Sequence, residues 1–107
     1  MAEIRCMVRE AAQSSHQQPG ILTGDREIIY AEYDQYVSGS LGRLRKAGCA
    51  PGGRVAVSMP NSWQAAVLLM AIFRARVAAC VADPDMDPAR LRSDLEGIGC
   101  RRLIAPS

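Results

Sequence analysis

From residue 54 onward the chain alternates short apolar runs with helical stretches, and this pattern constrains the fold more than any other feature. Arg54-Val55-Ala56-Val57-Ser58-Met59 is a strand-length run stopped by Pro60. Asn61 or Ser62 can cap the helix that follows. Residues 63–75 are apolar almost all round, which predicts a helix buried on several sides, with Trp63 and Phe73 in the core. Residues 77–82 form a second apolar strand, ended by Asp83-Pro84-Asp85. Asp87 caps a further helix with Pro88 at its first position, where a missing N–H has no helical partner to lose. Leu91, Leu95 and Ile98 form its expected inner stripe, Gly97 and Gly99 end it, and Leu103-Ile104-Ala105 is a last strand. Strands separated by helices pair in parallel through right-handed crossovers. The expected fold class is therefore α/β, with a parallel βαβαβ sheet flanked by helices over residues 54–107.

The first half reads differently. Ile4, Met7, Val8, Ala11 and Ala12 recur at helical spacing over residues 3–14. A polar loop runs from Ser14 to Gly20. Ile21-Leu22-Thr23 and Ile28-Ile29-Tyr30 flank Gly24-Asp25 as a short hairpin. Residues 31–47 place Tyr33, Tyr36, Val37, Leu41 and Leu44 on one helical face, closed by Gly48. Gly39 and Gly42 weaken that helix and are expected to permit close approach of a neighbouring element. Residues 1–53 thus form a helix–hairpin–helix part, and residues 1–107 a single unit.

Composition narrows the function classes. With 49% apolar residues, 22% charged residues and a net charge of +2, the chain is too apolar for a disordered tail. It also lacks the dense basic face of a non-specific nucleic-acid binder. No apolar run reaches the roughly 18 residues of a membrane span. Met1-Ala2-Glu3-Ile4-Arg5 does not read as a signal peptide, so a cytoplasmic protein with reduced thiols is expected. Cys6, Cys49, Cys80 and Cys100 offer no paired zinc spacing, and His16 is the single histidine.

The strand ends, where an α/β enzyme keeps its chemistry, carry Met59-Pro60-Asn61, Ala82-Asp83-Pro84 and Ala105-Pro106-Ser107. None pairs a nucleophile with a base. No glycine-rich phosphate motif follows a strand, and Lys46, the single lysine, precedes Ala47. Asp83, Asp85 and Asp87 alternate like cation ligands, but no later glutamate has calcium-loop spacing; a turn and a helix cap explain them. Arg43, Arg45 and Lys46 complement the negative end of a helix dipole rather than mark a phosphate site. Arg101 and Arg102 flank a strand, Asp94 and Glu96 sit on an exposed helix face, and His16 lies in a solvated loop. No catalytic, cofactor-binding or metal-binding residue is assigned.

The order of the pieces resembles the N-terminal stretch of the adenylate-forming acid–CoA ligases, the AMP-binding superfamily. Ile29-Tyr30-Ala31-Glu32-Tyr33 resembles the family's Tyr-x-Glu-Leu entry to its second helix. Leu44 to Gly48, then Pro51-Gly52-Gly53-Arg54-Val55-Ala56-Val57, resembles Leu-x-x-x-Gly-x-x-Pro-Gly-Asp-Arg-Val-Ala. Ser58-Met59-Pro60-Asn61-Ser62 is similar to x-Leu-Pro-Asn-Ser, and Ala66 to Ala75 to the helix ending Leu-Arg-Ala-Gly. Asp83-Pro84 with Pro88 and Arg90-Leu91 completes the series. Gly53 stands where relatives usually have Asp, and Arg76 where they usually have Gly. Asp85 stands where some carry a basic residue near coenzyme A phosphates.

The resemblance, covering roughly residues 4–105, implies part of the large N-terminal domain of such a ligase, o-succinylbenzoate–CoA ligase being one example. It implies a parent enzyme that uses ATP, Mg and coenzyme A on a carboxylic acid substrate. The phosphate loop and catalytic lysine lie downstream in relatives, so the segment alone is expected to be inactive, with the remainder of the ligase chain as its partner. The alternative is a standalone interaction module that self-associates through the apolar helix 63–75.

Overall fold

The computed structural model describes residues 6–105. Their order is α1 (Met7–Ser14), β1 (Pro19–Leu22), β2 (Glu27–Ile29), α2 (Tyr30–Lys46), β3 (Arg54–Val57), α3 (Trp63–Arg74), β4 (Ala78–Val81), α4 (Pro88–Gly97) and β5 (Leu103–Ile104). β1 and β2 pair antiparallel, and β3 pairs in parallel with β4 on one side and β5 on the other. The expected α/β class and the βαβαβ order are therefore observed. The first crossover runs from β3 to β4 and the second from β4 back past β3 to β5, so the two move in opposite directions and right-handed connections put α3 and α4 on opposite faces. Val55 and Val57 of β3 pack with Val37, Val67 and Ile72 into the main core beneath α2 and α3.

Three helices stop by the same device. In α2 the Cys49 amide bonds the Leu44 carbonyl at 3.0 Å, the Gly48 amide bonds Arg45 at 3.0 Å, and Gly48 has φ 87°. In α3 Val77 bonds Ile72 at 3.3 Å and Arg76 bonds Phe73 at 3.0 Å, with Arg76 at φ 59°. In α4 Cys100 bonds Leu95 at 2.9 Å and Gly99 bonds Glu96 at 3.2 Å, with Gly99 at φ 71°. This pair of bonds satisfies helix-end carbonyls and turns the chain back through one left-handed residue. The next residue in each case, Cys49, Val77 or Cys100, is buried and leads toward a strand.

Several expectations are corrected. The first helix begins at Met7; the Ile4 position lies outside the described residues. Met7 itself is exposed. β1 starts at Pro19, inside the expected loop, because a two-stranded ribbon has a free edge where a missing N–H does no harm. Gly20 then lies so close to Tyr30 and Tyr33 that a Cβ would sit 2.9 Å from the Tyr30 ring. Tyr30 opens α2 rather than closing β2. Tyr36 sits at the edge of its helix face, partly exposed. Gly39 and Gly42 meet nothing within 4 Å of an added Cβ, so they serve no close approach. α3 is not enclosed: Ala65, Val67, Ala71 and Ile72 are buried, but Phe73 is 46% exposed and Leu69 36%. α4 buries no residue fully; Leu91 and Leu95 are half-buried and Ile98 is exposed. β4 is a sheet edge, and its Val81 is 73% exposed despite the apolar run.

Two substitutions follow from the backbone. A non-glycine residue in the left-handed region costs roughly 1–2 kcal/mol. Arg76→Gly, after the larger unfolded-state entropy of glycine is allowed for, is expected to stabilise the chain by about 1 kcal/mol. Gly39→Ala with Gly42→Ala, in open helix positions, is expected to add about 1–2 kcal/mol together. Urea midpoints read both, and an unchanged or lowered midpoint contradicts the assignment.

Candidate functional site

The carboxyl ends of the parallel strands come together through the ladder. The Ser58 amide bonds the Ile104 carbonyl at 2.9 Å, and the Ala82 amide bonds Val57 at 2.8 Å. Ser58 is buried there, Met59 half-buried, and Pro60 and Asn61 exposed. Ser62 caps α3: its Oγ accepts the Ala65 amide at 3.1 Å. Beyond β4, Asp83 Oδ1 accepts the Asp85 amide at 2.9 Å, and Asp87 caps α4 by accepting the Arg90 amide at 3.3 Å. The three aspartates are thus a turn and a cap. Among the described residues no group of three or more His, Cys, Asp or Glu could hold a metal.

The cationic candidates are placed as helix-end groups. Arg43, Arg45 and Lys46 fill the last turn of α2 and are exposed. The residue that bonds that helix end is Arg102, whose Nε donates to the Ala47 carbonyl at 3.2 Å. It comes from the far end of the chain. A shallow groove of about 540 Å³ opens beside it, lined by Leu44, Met59, Leu68 and Leu103, with Arg43 and Arg102 at its rim. His16 is exposed and contributes only its carbonyl, which accepts the Ala31 amide at 3.1 Å. Arg76 is exposed, so its charge reaches solvent, and its carbonyl accepts the Gly52 amide at 2.9 Å.

The most concentrated polar contact joins three helices. Arg74, at the end of α3, donates to Asp34 Oδ1 at 2.6 Å and to Ser38 Oγ at 3.0 Å, both on α2. Its Nε and one terminal nitrogen also reach Cys6 Sγ, at 3.3 and 3.1 Å, at the start of α1. Burial opposes the Arg74 charge, but the bonds to Cys6 and Asp34 outweigh it and hold the guanidinium more firmly protonated. Burial likewise pushes the Cys6 thiol up. The Arg9 amide, the Arg74 guanidinium and the Val8 amide outweigh it, and the thiol falls below its ordinary value of 9.0. A helix N-terminus beside an arginine favours a thiolate in this way. A second cluster stacks Arg26 over Trp63, 4.8 Å from the ring centre, with Tyr36 5.3 Å from Trp63. Trp63 is half-buried, packed against the core cluster and stacked under Arg26. Sequence reading missed both clusters.

Cys6 is expected to react with iodoacetamide ahead of Cys80 at neutral pH, since the thiolate is the nucleophile. Arg74→Met is expected to slow Cys6 severalfold. Alkylation followed by peptide mass spectrometry reads this, and an unchanged Cys6 rate in the variant contradicts the role given to Arg74.

Comparison with known proteins gives this geometry a family. The model of the AMP-binding enzyme family matches residues 8–107. A salicylyl-CoA synthase / salicylate adenylyltransferase from Streptomyces sp is 29% identical over 77 residues, covering 72% of this chain and 14% of that protein. The nonribosomal peptide synthetase dtxS1 of Metarhizium robertsii is 25% identical over 99 residues, covering 92% of this chain and 1% of its own length. Among solved structures, the unliganded o-succinylbenzoate coenzyme A synthetase of Bacillus subtilis superposes with a TM-score of 0.85 at 18% identity, over 94% of this chain and 22% of that one. The N-terminal subdomain of Klebsiella oxytoca NpsA gives 0.85 at 18% identity, over 94% and 26%. The chain thus spans a small share of the relatives it matches. With its fold shared by these structures and the family model matched from residue 8 to its end, the chain belongs to the AMP-binding enzyme family.

Proposed function

We propose that these residues are the opening segment of the large N-terminal domain of a ligase that activates a carboxylic acid with ATP and passes the acyl group to a thiol. The observation that carries this reading is the family match along residues 8–107, set against the small fraction of each relative's length that it covers. In such an enzyme the carboxylate attacks the α-phosphorus of ATP. Pyrophosphate leaves, and the thiol sulfur then displaces AMP from the acyl-adenylate. Coenzyme A as the thiol, and an aromatic acid as the substrate, are supported by the salicylyl-CoA synthase among the relatives and by the fold of the o-succinylbenzoate synthetase.

The described residues do not fit ATP or magnesium. Among the described residues no group of three or more His, Cys, Asp or Glu could hold a cation, and beyond β4 the side chains of Asp83 and Asp87 are engaged in a turn and a cap. No step of the reaction is therefore routed through them. Their work in the parent is architectural: a parallel sheet and packed helices on which the remainder of the chain builds. We place the parent in the cytoplasm, supported by four free cysteines. No helix among the described residues is long and apolar enough to cross a membrane.

A second reading is favoured by one observation, the exposure of Leu69 and Phe73 on α3. There the chain is a self-associating module without catalysis. Pyrophosphate exchange separates activity from inactivity. The 107-residue chain with ATP and salicylate is expected to give no exchange above the blank, and the ligase reading further expects a serine-, threonine- and glycine-rich loop with a lysine in frame beyond Ser107. Exchange by the chain itself overturns the inactivity. Light scattering then addresses the module: a discrete dimer with no such loop favours the second reading.

A further inference from the structure

β4 forms one edge of the three-stranded sheet, and its backbone is set for pairing on the outer side. The Ala78 amide bonds the Gly53 carbonyl at 2.9 Å, and the Ala82 amide bonds Val57 at 2.8 Å. Backbone groups alternate sides along a strand, so Ala78, Cys80 and Ala82 face β3 while Ala79 and Val81 aim their N–H and C=O outward. Val77 offers no outward donor, because its amide already bonds the Ile72 carbonyl. Nothing guards this edge: β4 carries no charge and no proline, and Val81 is largely exposed. Ala79 and Val81 are in register with Val55 and Val57, so their side chains lie on the core face of the sheet. On that face α3 packs against both α2 and β4. Its Trp63 and Arg74 turn toward Tyr36, Asp34 and Ser38 of α2. At roughly 100° per residue, Leu69 and Phe73 fall on the flank turned away from α2, and both are partly exposed. The charges beside the strand are an independent observation. Arg76 precedes β4, Asp83 and Asp85 follow it, and all three are exposed. A strand so flanked is complementary to itself turned end for end.

We propose that a second copy of the chain occupies this edge, β4 pairing antiparallel with the partner's β4 about a twofold axis through Cys80, so that two three-stranded sheets become one of six strands. A twofold axis between antiparallel strands passes midway between two identical residues. Centred on Cys80, it sets Ala79 against the partner's Val81 and Val81 against the partner's Ala79. Each of these pairs exchanges both of its outward backbone bonds. Centred on Ala79, it would instead set Val81 against the partner's Val77, whose amide is already engaged. With Cys80 at the centre, Arg76 falls opposite the partner's Pro84, between the partner's Asp83 and the partner's Asp85. The axis also leaves both α3 helices on one face across the seam, where the flank carrying Leu69 and Phe73 covers Val81.

The two Cys80 residues then form a pair without mutual backbone bonds, their Cα atoms about 4.5 Å apart, a separation that a disulfide spans. Cys80 therefore reports the register. The pairing belongs to the 107-residue chain and does not rest on the ligase reading, which the sequence beyond Ser107 tests separately.

Sedimentation equilibrium of the chain under reducing conditions is expected to show a monomer–dimer equilibrium that weakens with added salt, as exposed charges are screened. Ala79→Pro removes an outward N–H and no bond to β3, and Val81→Lys sets a charge on the edge. Each is expected to lower the association constant by about tenfold or more while leaving the circular dichroism unchanged. Arg76→Gly, which the backbone favours, should weaken the dimer severalfold although it stabilises the fold. Register is read by trapping the dimer of a Cys6→Ser variant with diamide, which takes up the two thiol hydrogens. Non-reducing trypsin digestion should then give peptide 77–90 joined to a second copy of itself. A monomer at millimolar concentration overturns the proposal, as does open-ended aggregation in place of a dimer. So does a dimer that survives both edge variants, since the helices rather than the strands would then associate. A trapped dimer without the symmetric Cys80 linkage also overturns it.

Discussion

The parallel half of the chain depends on how its helices end. A parallel sheet requires every strand to be re-entered from the same side, so each helix must stop, reverse and release the chain at the right level. The paired bonds at Gly48, Arg76 and Gly99 do this with one left-handed residue each. They also place an apolar residue immediately afterwards, and Cys49, Val77 and Cys100 are all buried. Burial of that residue and satisfaction of the helix-end carbonyls reinforce each other. The strand that follows then inherits its register: Arg54 sits against Ala78, and Ala56 against Leu103. A change in any of these turns displaces a strand, not just a helix end.

What could be read from residues alone tracks this physics. Gly48 and Gly99 announce their turns because glycine tolerates φ above zero. Arg76 does not announce its turn, since the sequence shows an arginine where the backbone needs a left-handed residue. Its placement was legible only through the resemblance, in which relatives carry glycine. The caps at Ser62 and Asp87 were legible because the signal is local. Exposure was much less so. The apolar stretch of residues 63–75 implies burial on several sides, yet Leu69 is partly exposed and Phe73 stays half in water. Periodicity reports what a helix would bury given enough neighbours; it does not say how many are present.

The candidate site shows the same division. The turn and cap roles of Asp83 and Asp87 rest on neighbours within three residues and follow from spacing. The Arg74 contacts do not. Its partners Ser38, Asp34 and Cys6 lie 36, 40 and 68 positions away. Nothing in a local window distinguishes this arginine from the other eleven. Its bonds nonetheless tie the start of α1 to α2 and α3, beside the burial of Val8 in the core. Arg102 is similar: a residue that reads as a strand flank turns out to complete a helix end that it follows by 55 positions.

Exposed apolar surface connects these observations to the proposed function. Among the described residues the three-stranded sheet has β4 and β5 at its edges, each offering an unpaired side for another strand. Val81 on β4 is largely exposed, and Leu103 on β5, Phe73 on α3 and Ile98 at the end of α4 are each nearly half exposed. Isolated exposed apolar residues are ordinary, but open strand edges with apolar side chains are what natural sheets normally cover or charge. No lysine and no proline lies within β4 or β5. A sequence selected to stand alone would protect such edges, whereas one selected inside a larger sheet has no need to. The small share of each relative's length matched by this chain and the bare edges of its sheet therefore bear on the same reading by independent routes, one through descent and one through the free energy of leaving backbone pairs and apolar side chains in water.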